Sequence, residues 1–208
     1  MRLTLLGLLT AATFGIAQAQ SDSVAVRRNV VKINPLSLVL GQVSIFYERA
    51  VSNRISLVGG VGFGSQLYTY PNNKANVPSS GRFRYERLTL EGRYYLSRRH
   101  RAPIGFYAGI YGRFARLMVD DYQFDSQGEF IRDQNGILVR EVRQMQVLMP
   151  GALAGWQAAL GRRVALDLFF GLQYQIPTNS TPLHHTVPEA MSTKQLVSRA
   201  GLTFGYRF

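Results

Sequence analysis

Between Gln195 and Phe208 the chain alternates with a period of two residues. Leu196, Ala200, Leu202, Phe204, Tyr206 and Phe208 fall on one face, and Arg199, Gly201, Thr203, Gly205 and Arg207 on the other. A helix brings together residues three and four apart and would mix these sets; an extended strand keeps them separate. The pattern recurs. Val164, Leu166, Leu168, Phe170, Leu172 and Tyr174 oppose Ala165, Asp167, Gly171 and Gln173, and Leu88, Leu90, Tyr94 and Leu96 oppose Arg87, Thr89, Glu91, Arg93 and Tyr95. Such segments constrain the chain to an all-β fold whose sheet has one apolar and one polar face.

Eight strands can be placed, at 29–40, 43–51, 55–70, 82–97, 103–119, 139–160, 163–176 and 195–208. Pro35 interrupts the first, and its alternation slips near Leu36, which reads as a bulge. The sixth holds Pro150 and the Ala/Gly-rich run Gly151 to Leu160, and is read as strand because its surroundings are β. Short links (Ser52-Asn53-Arg54, Arg98 to Ala102, Gly161-Arg162) alternate with long polar loops (Pro71 to Gly81, Asp120 to Leu138, Pro177 to Lys194); the Gly41-Gln42 link breaks the rule by being short. Outer-membrane barrels carry short periplasmic turns and longer outside loops. An even strand number then leaves both termini in the periplasm.

The first 19 residues stand apart from this pattern. Arg2 supplies a positive start, Leu3 to Ile16 a mostly apolar run, and Ala17-Gln18-Ala19 a small-x-small cleavage site. The run is shorter than the roughly 18 residues of a spanning helix, so residues 1–19 are expected to be a cleaved signal peptide and residues 20–208 the barrel domain. With no cysteine, neither a lipid-modified Cys nor a disulfide framework is available. The formal net charge of +12 would suggest nucleic acid in a cytosolic protein; in an exported one it points to phosphates of lipopolysaccharide and phospholipid.

Alternation alone also fits a soluble lipocalin-like barrel with its apolar face inward. The charges decide. Glu48, Glu91, Arg93, Arg113, Asp167 and Arg199 lie in mid-strand on the polar, Gly-rich face. Facing lipid, each Arg near the midplane would cost roughly 2–4 kcal/mol, whereas inside the barrel opposite charges can pair. The polar face is therefore the lumen. Aromatic belts are expected from Tyr68, Tyr70, Phe83 and Tyr85 at the outer interface and from Tyr94, Phe106, Tyr206 and Phe208 at the periplasmic one.

With the Ala17-Gln18-Ala19 site, the Tyr/Gly-rich alternating strands and the ending Ala200-Gly201-Leu202-Thr203-Phe204-Gly205-Tyr206-Arg207-Phe208, the chain resembles the small Gram-negative outer-membrane barrels of the OmpA/OmpX-like superfamily. The resemblance implies an eight-stranded antiparallel up-and-down transmembrane β-barrel. It also implies a C-terminal aromatic signal, here Phe204, Tyr206 and Phe208, recognised by the barrel-assembly machinery. The chain stops at Phe208, so the periplasmic domain that some relatives append is not expected.

Some small barrels modify lipid A, a chemistry that needs His with a nucleophile and a carboxylate. Of the three histidines, His100 falls in a basic turn, and His184 and His185 lie in the last outer loop near Ser180 and Glu189. A pliant Pro-containing loop is a poor frame for a triad, and the His pair has no companion ligands, so no catalytic, cofactor or metal site is expected. Acidic residues of the 120–138 loop lack the spacing of a calcium loop; Asn135-Gly136 between apolar flanks marks a hairpin projecting outside the cell. Arg54, Arg98, Arg99, Arg101, Arg162 and Arg163 share the turn rim and are expected to contact lipid phosphates. The functional expectation is a monomeric structural or interaction barrel with a charge-filled lumen. Its outer loops would meet an extracellular protein partner, in membrane integrity or adhesion. The alternatives are a narrow pore and a lipid A-modifying enzyme.

Overall fold

The computed structural model describes residues 27–39, 41–70, 79–97, 101–123, 125, 131–180 and 194–208. Ala17 and Ala19 of the cleavage site, Arg98, Arg99, His100, His184 and His185 lie outside these residues. The elements are β1 (Asn29–Ile33), α1 (Pro35–Val39), β2 (Gln42–Ala50), β3 (Ile55–Tyr70), β4 (Ser79–Tyr95), β5 (Gly105–Tyr122), β6 (Arg140–Leu160), β7 (Val164–Ser180) and β8 (Gln195–Arg207). Each strand pairs antiparallel with its neighbour in sequence, and β1 pairs with β8, closing an eight-stranded up-and-down barrel. The Pro150-containing run is strand throughout, as expected.

The first expected strand, 29–40, is corrected. It ends at Ile33, and what looked like a bulge at Leu36 is the single-turn helix α1. Asn34 caps it: its Oδ1 accepts the Leu36 N–H at 3.0 Å, and Pro35 takes the first helical position, where no N–H is needed. Gly41 closes it at φ 66°, its N–H donating to Leu38 O at 2.9 Å. The Asn-Pro start and Gly stop outweigh the strand pattern on either side.

The apolar face points outward. Ile110 is 74% exposed and Leu90 63%, while Glu48 and Asp167 on the other face are 0% and 1% exposed. Outward apolar residues run from 88 on β4 to 96 just past its end, over 106–114 on β5 and over 164–174 on β7. That matches the roughly 9–11 residues of a tilted strand crossing a bilayer. No helix among the described residues is long and apolar enough to cross a membrane. Beyond the belt, toward the long-loop end, the outward residues become Glu86, Arg84 and Arg82 on β4, Arg116 and Asp120 on β5, and Gln146 and Gln144 on β6. The sheet thus projects past the membrane on that side.

Two members of the expected outer aromatic belt are corrected. Phe83 and Tyr85 turn inward and pack against Ala115, Leu117, Met145, Val147 and Met149. Their period-two phase is that of Arg87 and Thr89, so the lumen face claims them. Tyr94, Phe106, Tyr206 and Phe208 are exposed on the lipid side. The narrow interior is filled by setting large residues against glycines. A Cβ at Gly155 would come within 2.5 Å of the Tyr107 ring, and one at Gly201 within 2.3 Å of Phe169.

Candidate functional site: the charged lumen and its rims

The expected lumen residues Glu48, Glu91, Arg93, Asp167 and Arg199 meet inside the barrel, together with Lys32, which sequence reasoning missed. Lys32 lies at the centre. Its Nζ sits 2.5 Å from Glu48 Oε2 and 2.7 Å from Asp167 Oδ2, and donates to Gln157 Oε1 at 2.6 Å. Arg93 bridges the same acids and a third: 2.8 Å to Asp167, 3.6 Å to Glu48 and 2.5 Å to Glu91. Glu91 in turn holds Arg199 at 3.2 Å. Lys32, Arg93 and Arg199 thus offset Glu48, Glu91 and Asp167 charge for charge. Such pairing is what makes buried ions tolerable, because an ion left alone in low dielectric is far more costly than a pair.

Tyrosines complete the acids' hydrogen bonds. The Tyr95 hydroxyl donates to Glu48 Oε1 at 2.7 Å, Ser56 donates to the same oxygen, and the Tyr107 hydroxyl donates to Asp167 Oδ1 at 2.6 Å. The guanidinium of Arg93 stacks over the Tyr107 ring at 4.2 Å, and that of Arg199 over Tyr111 and Phe169 at 4.4 and 4.6 Å. Below this layer Ala50, Tyr95, Ala102 and Tyr107 pack into a buried cluster toward the turn end. Lys32 could have been found from its place two residues after Val30, on the inward face, but the broken alternation past Ile33 hid that phase.

Arg113 lies in the lumen but not in the paired set. Its NH1 donates to Gln173 Oε1 at 3.1 Å, and among the described residues no carboxylate pairs with it. Beside Thr89 and Gln173 it lines a cavity with two further cations, Arg87 and Arg199.

At the turn rim, Arg54, Arg101, Arg162 and Arg163 are exposed. Arg54 donates to the Tyr94 hydroxyl at 3.1 Å and Arg163 to the Tyr206 hydroxyl at 2.9 Å, so two belt tyrosines orient two rim cations. Phe204, Tyr206 and Phe208 face lipid, with the Tyr206 and Phe208 rings stacked at 6.4 Å. Phe208 N–H donates to Asn29 O at 3.0 Å, which ties the end of the chain to β1.

At the opposite rim the 5–6 connection is a hairpin, as Asn135-Gly136 suggested. Arg132 and Leu138 bridge, Gly136 N–H donates to Asp133 O at 3.0 Å, and Gly136 has φ 75°. Asp133 Oδ1 accepts the N–H groups of Asn135 and Ile137, each at 2.8 Å. Among the described residues no group of three or more His, Cys, Asp and Glu is arranged to hold a metal.

Sequence comparison with curated proteins finds no match. Among solved structures, the barrel is similar to that of Ail, the attachment invasion locus protein of Yersinia pestis, determined in complex with the heparin analogue sucrose octasulfate. The identity is 9% and the TM-score 0.48, over 87% of this chain and 98% of that one. It is also similar to the N-terminal β-barrel domain of Pseudomonas aeruginosa OprF, with 11% identity and a TM-score of 0.39, over 88% of this chain and 98% of that one. At these identities the likeness is one of fold. A family model described as a protein of unknown function matches residues 5–208, and the chain belongs to that family, DUF3575.

Proposed function

We propose that the protein is a non-conducting outer-membrane barrel that stabilises the membrane and holds an outward-projecting sheet ready for a partner. The observation that carries this reading is the lumen: six paired charges, capped toward the turns by the Tyr95–Tyr107 cluster, occupy the space a pore would need. The interior of an eight-stranded barrel is only wide enough for side chains to fill. Planar-bilayer recording of the purified protein tests it. No steady conductance above background is expected; reproducible single-channel steps at neutral pH would establish the narrow pore instead.

The remaining parts of the reading follow from the two rims. Export by the signal peptide and assembly through Phe204, Tyr206 and Phe208 would bring the chain to the outer membrane with its termini and arginine turns in the periplasm. There the turn arginines would meet phospholipid phosphates of the inner leaflet. The projecting ends of β3 to β7, with the 5–6 hairpin, would lie among lipopolysaccharide sugars and present polar side chains and strand edges to an extracellular protein. The protein would act as a monomer and without catalysis.

A further inference from the structure

β8 pairs with β1 only over Phe204 to Arg207, because β1 stops at Ile33. On their β1 side, residues 196–203 of β8 have no strand partner among the described residues, and α1 stands in the gap. Ser37 of α1 is turned inward, while Leu36, Leu38 and Val39 are exposed. The wall here is a seam closed by side chains, where the rest of the barrel is closed by backbone ladders. Unladdered backbone in hydrocarbon is tolerated only where protein or a polar cavity covers it.

Behind the seam lies a cavity of about 350 Å³ whose walls include Ser37, Arg87, Arg113 and Arg199. The six-charge network is balanced without Arg87 and Arg113, so the cavity carries a formal excess of positive charge. Arg87 donates to Ser44 Oγ at 2.9 Å and Arg113 to Gln173; neither pairs with a carboxylate among the described residues. Arg199 gives NH1 to Glu91, but its Nε, on a residue only 6% exposed, has no hydrogen-bond partner. On the lipid side of the same wall an apolar groove of about 600 Å³ runs over Phe106, Trp156, Leu168, Phe170 and Leu202. Groove and cavity share Leu36, Phe169 and Ala200, so they meet at the seam.

We propose that this seam is a binding site for one phosphate-bearing lipid, its phosphate among Arg87, Arg113 and Arg199 and an acyl chain in the outer groove. The arginines select the head: a guanidinium presents a planar fork of donors that suits a phosphate, and a buried donor without a partner marks the place for an acceptor. The groove selects the tail, since it opens on the apolar belt and offers nothing to a soluble anion. The polarity agrees with one leaflet. Arg199 lies toward the long-loop end of β8, and Phe106 and Trp156 lie toward the turn end, so the head would sit near the outer interface with the chain directed to the bilayer centre.

Native mass spectrometry of the folded barrel in a non-ionic detergent tests the site, with dioleoyl phosphatidic acid, dioleoylglycerol and inorganic phosphate as probes. One equivalent of phosphatidic acid is expected, retained at least tenfold better than either head or tail alone. The double variant Arg87→Gln/Arg113→Gln should lower retention at least tenfold. Ala200→Trp should do the same by filling the junction from the lipid side while leaving every arginine in place. Equal retention of dioleoylglycerol would reduce the site to an apolar groove, and displacement by inorganic phosphate would make it a soluble-anion site; either overturns the proposal. Should the arginine variant fail to fold, as judged by loss of heat-modifiable migration in SDS gels, Ala200→Trp decides. Unchanged retention in that variant places the lipid elsewhere and overturns the proposal too.

Discussion

Lys32 on β1 and Asp167 on β7 meet at 2.7 Å across the lumen, although β8 lies between their strands. Lys32 also holds Glu48 on β2 and Gln157 on β6, so a single ammonium joins four strands. Lys32→Met would leave two carboxylates facing each other without their central cation. Breaking a buried pair on one side typically costs about 3–5 kcal/mol. Urea unfolding in liposomes should show a loss of that order, and Asp167→Asn added to Lys32→Met should recover part of it. A Lys32→Met barrel as stable as the parent would mean that the network contributes nothing to stability.

The strand glycines divide by face in what a methyl group would meet: Gly155 points into the lumen, whereas Gly92 shares the outward face of Leu90 and Tyr94. At Gly155 a Cβ would fall 2.5 Å from the Tyr107 ring and 2.6 Å from the Leu168 carbonyl oxygen, an atom that cannot swing away. At Gly92 nothing lies within 4 Å. Gly155→Ala is therefore expected to destabilise the barrel by about 1–3 kcal/mol, the usual range for overpacking. Gly92→Ala should stay within about 0.5 kcal/mol of the parent. Equal effects from the same unfolding measurement would show that the close approach is not felt.

The rim arginines make a separate prediction about the membrane. Replacing Arg54, Arg101, Arg162 and Arg163 with Gln should slow insertion into vesicles containing phosphatidylglycerol. Each Arg near an anionic surface contributes about 1 kcal/mol. Insertion into phosphatidylcholine vesicles should be unaffected. Loss of the same rate in both lipids would point to the two tyrosine hydrogen bonds of Arg54 and Arg163, not to phosphate contacts.

The outer hairpin turns on one residue. Gly136 sits at φ 75°, where a β-branched side chain is strained, so Gly136→Val should open the hairpin at a cost of about 1–2 kcal/mol. Trypsin added to intact cells should cut after Arg132 or Arg140, and faster in the variant. Complete resistance of both versions, with cutting only after lysis, would put this loop on the periplasmic side.

Most of the barrel was legible because alternation is a backbone property: once Leu88 and Arg93 are assigned opposite faces, the whole strand follows. The misreadings have two causes. At Asn34-Pro35 capping chemistry overrode alternation, and the phase that would have exposed Lys32 was lost with it. Phe83 and Tyr85 were assigned by residue type when their phase already placed them inside. Which charges pair could not be read at all, since partners such as Arg93 and Asp167 come from strands that do not touch in the sheet. Only the tilt and closure of the barrel bring them together. Arg113 shows the same limit from the other side: Arg87 and Arg199, from other strands, line its cavity, and among the described residues no carboxylate pairs with it.

The short β1 has a mechanical consequence. The circle is fastened by four residue pairs between β1 and β8, against sixteen between β3 and β4. Under force or heat the sheet should part first at this clasp. Lys32 reaches past the clasp to Asp167 on the far side, like a rivet set beside a hinge. One ammonium group thus spans the ring where its backbone ladder is shortest.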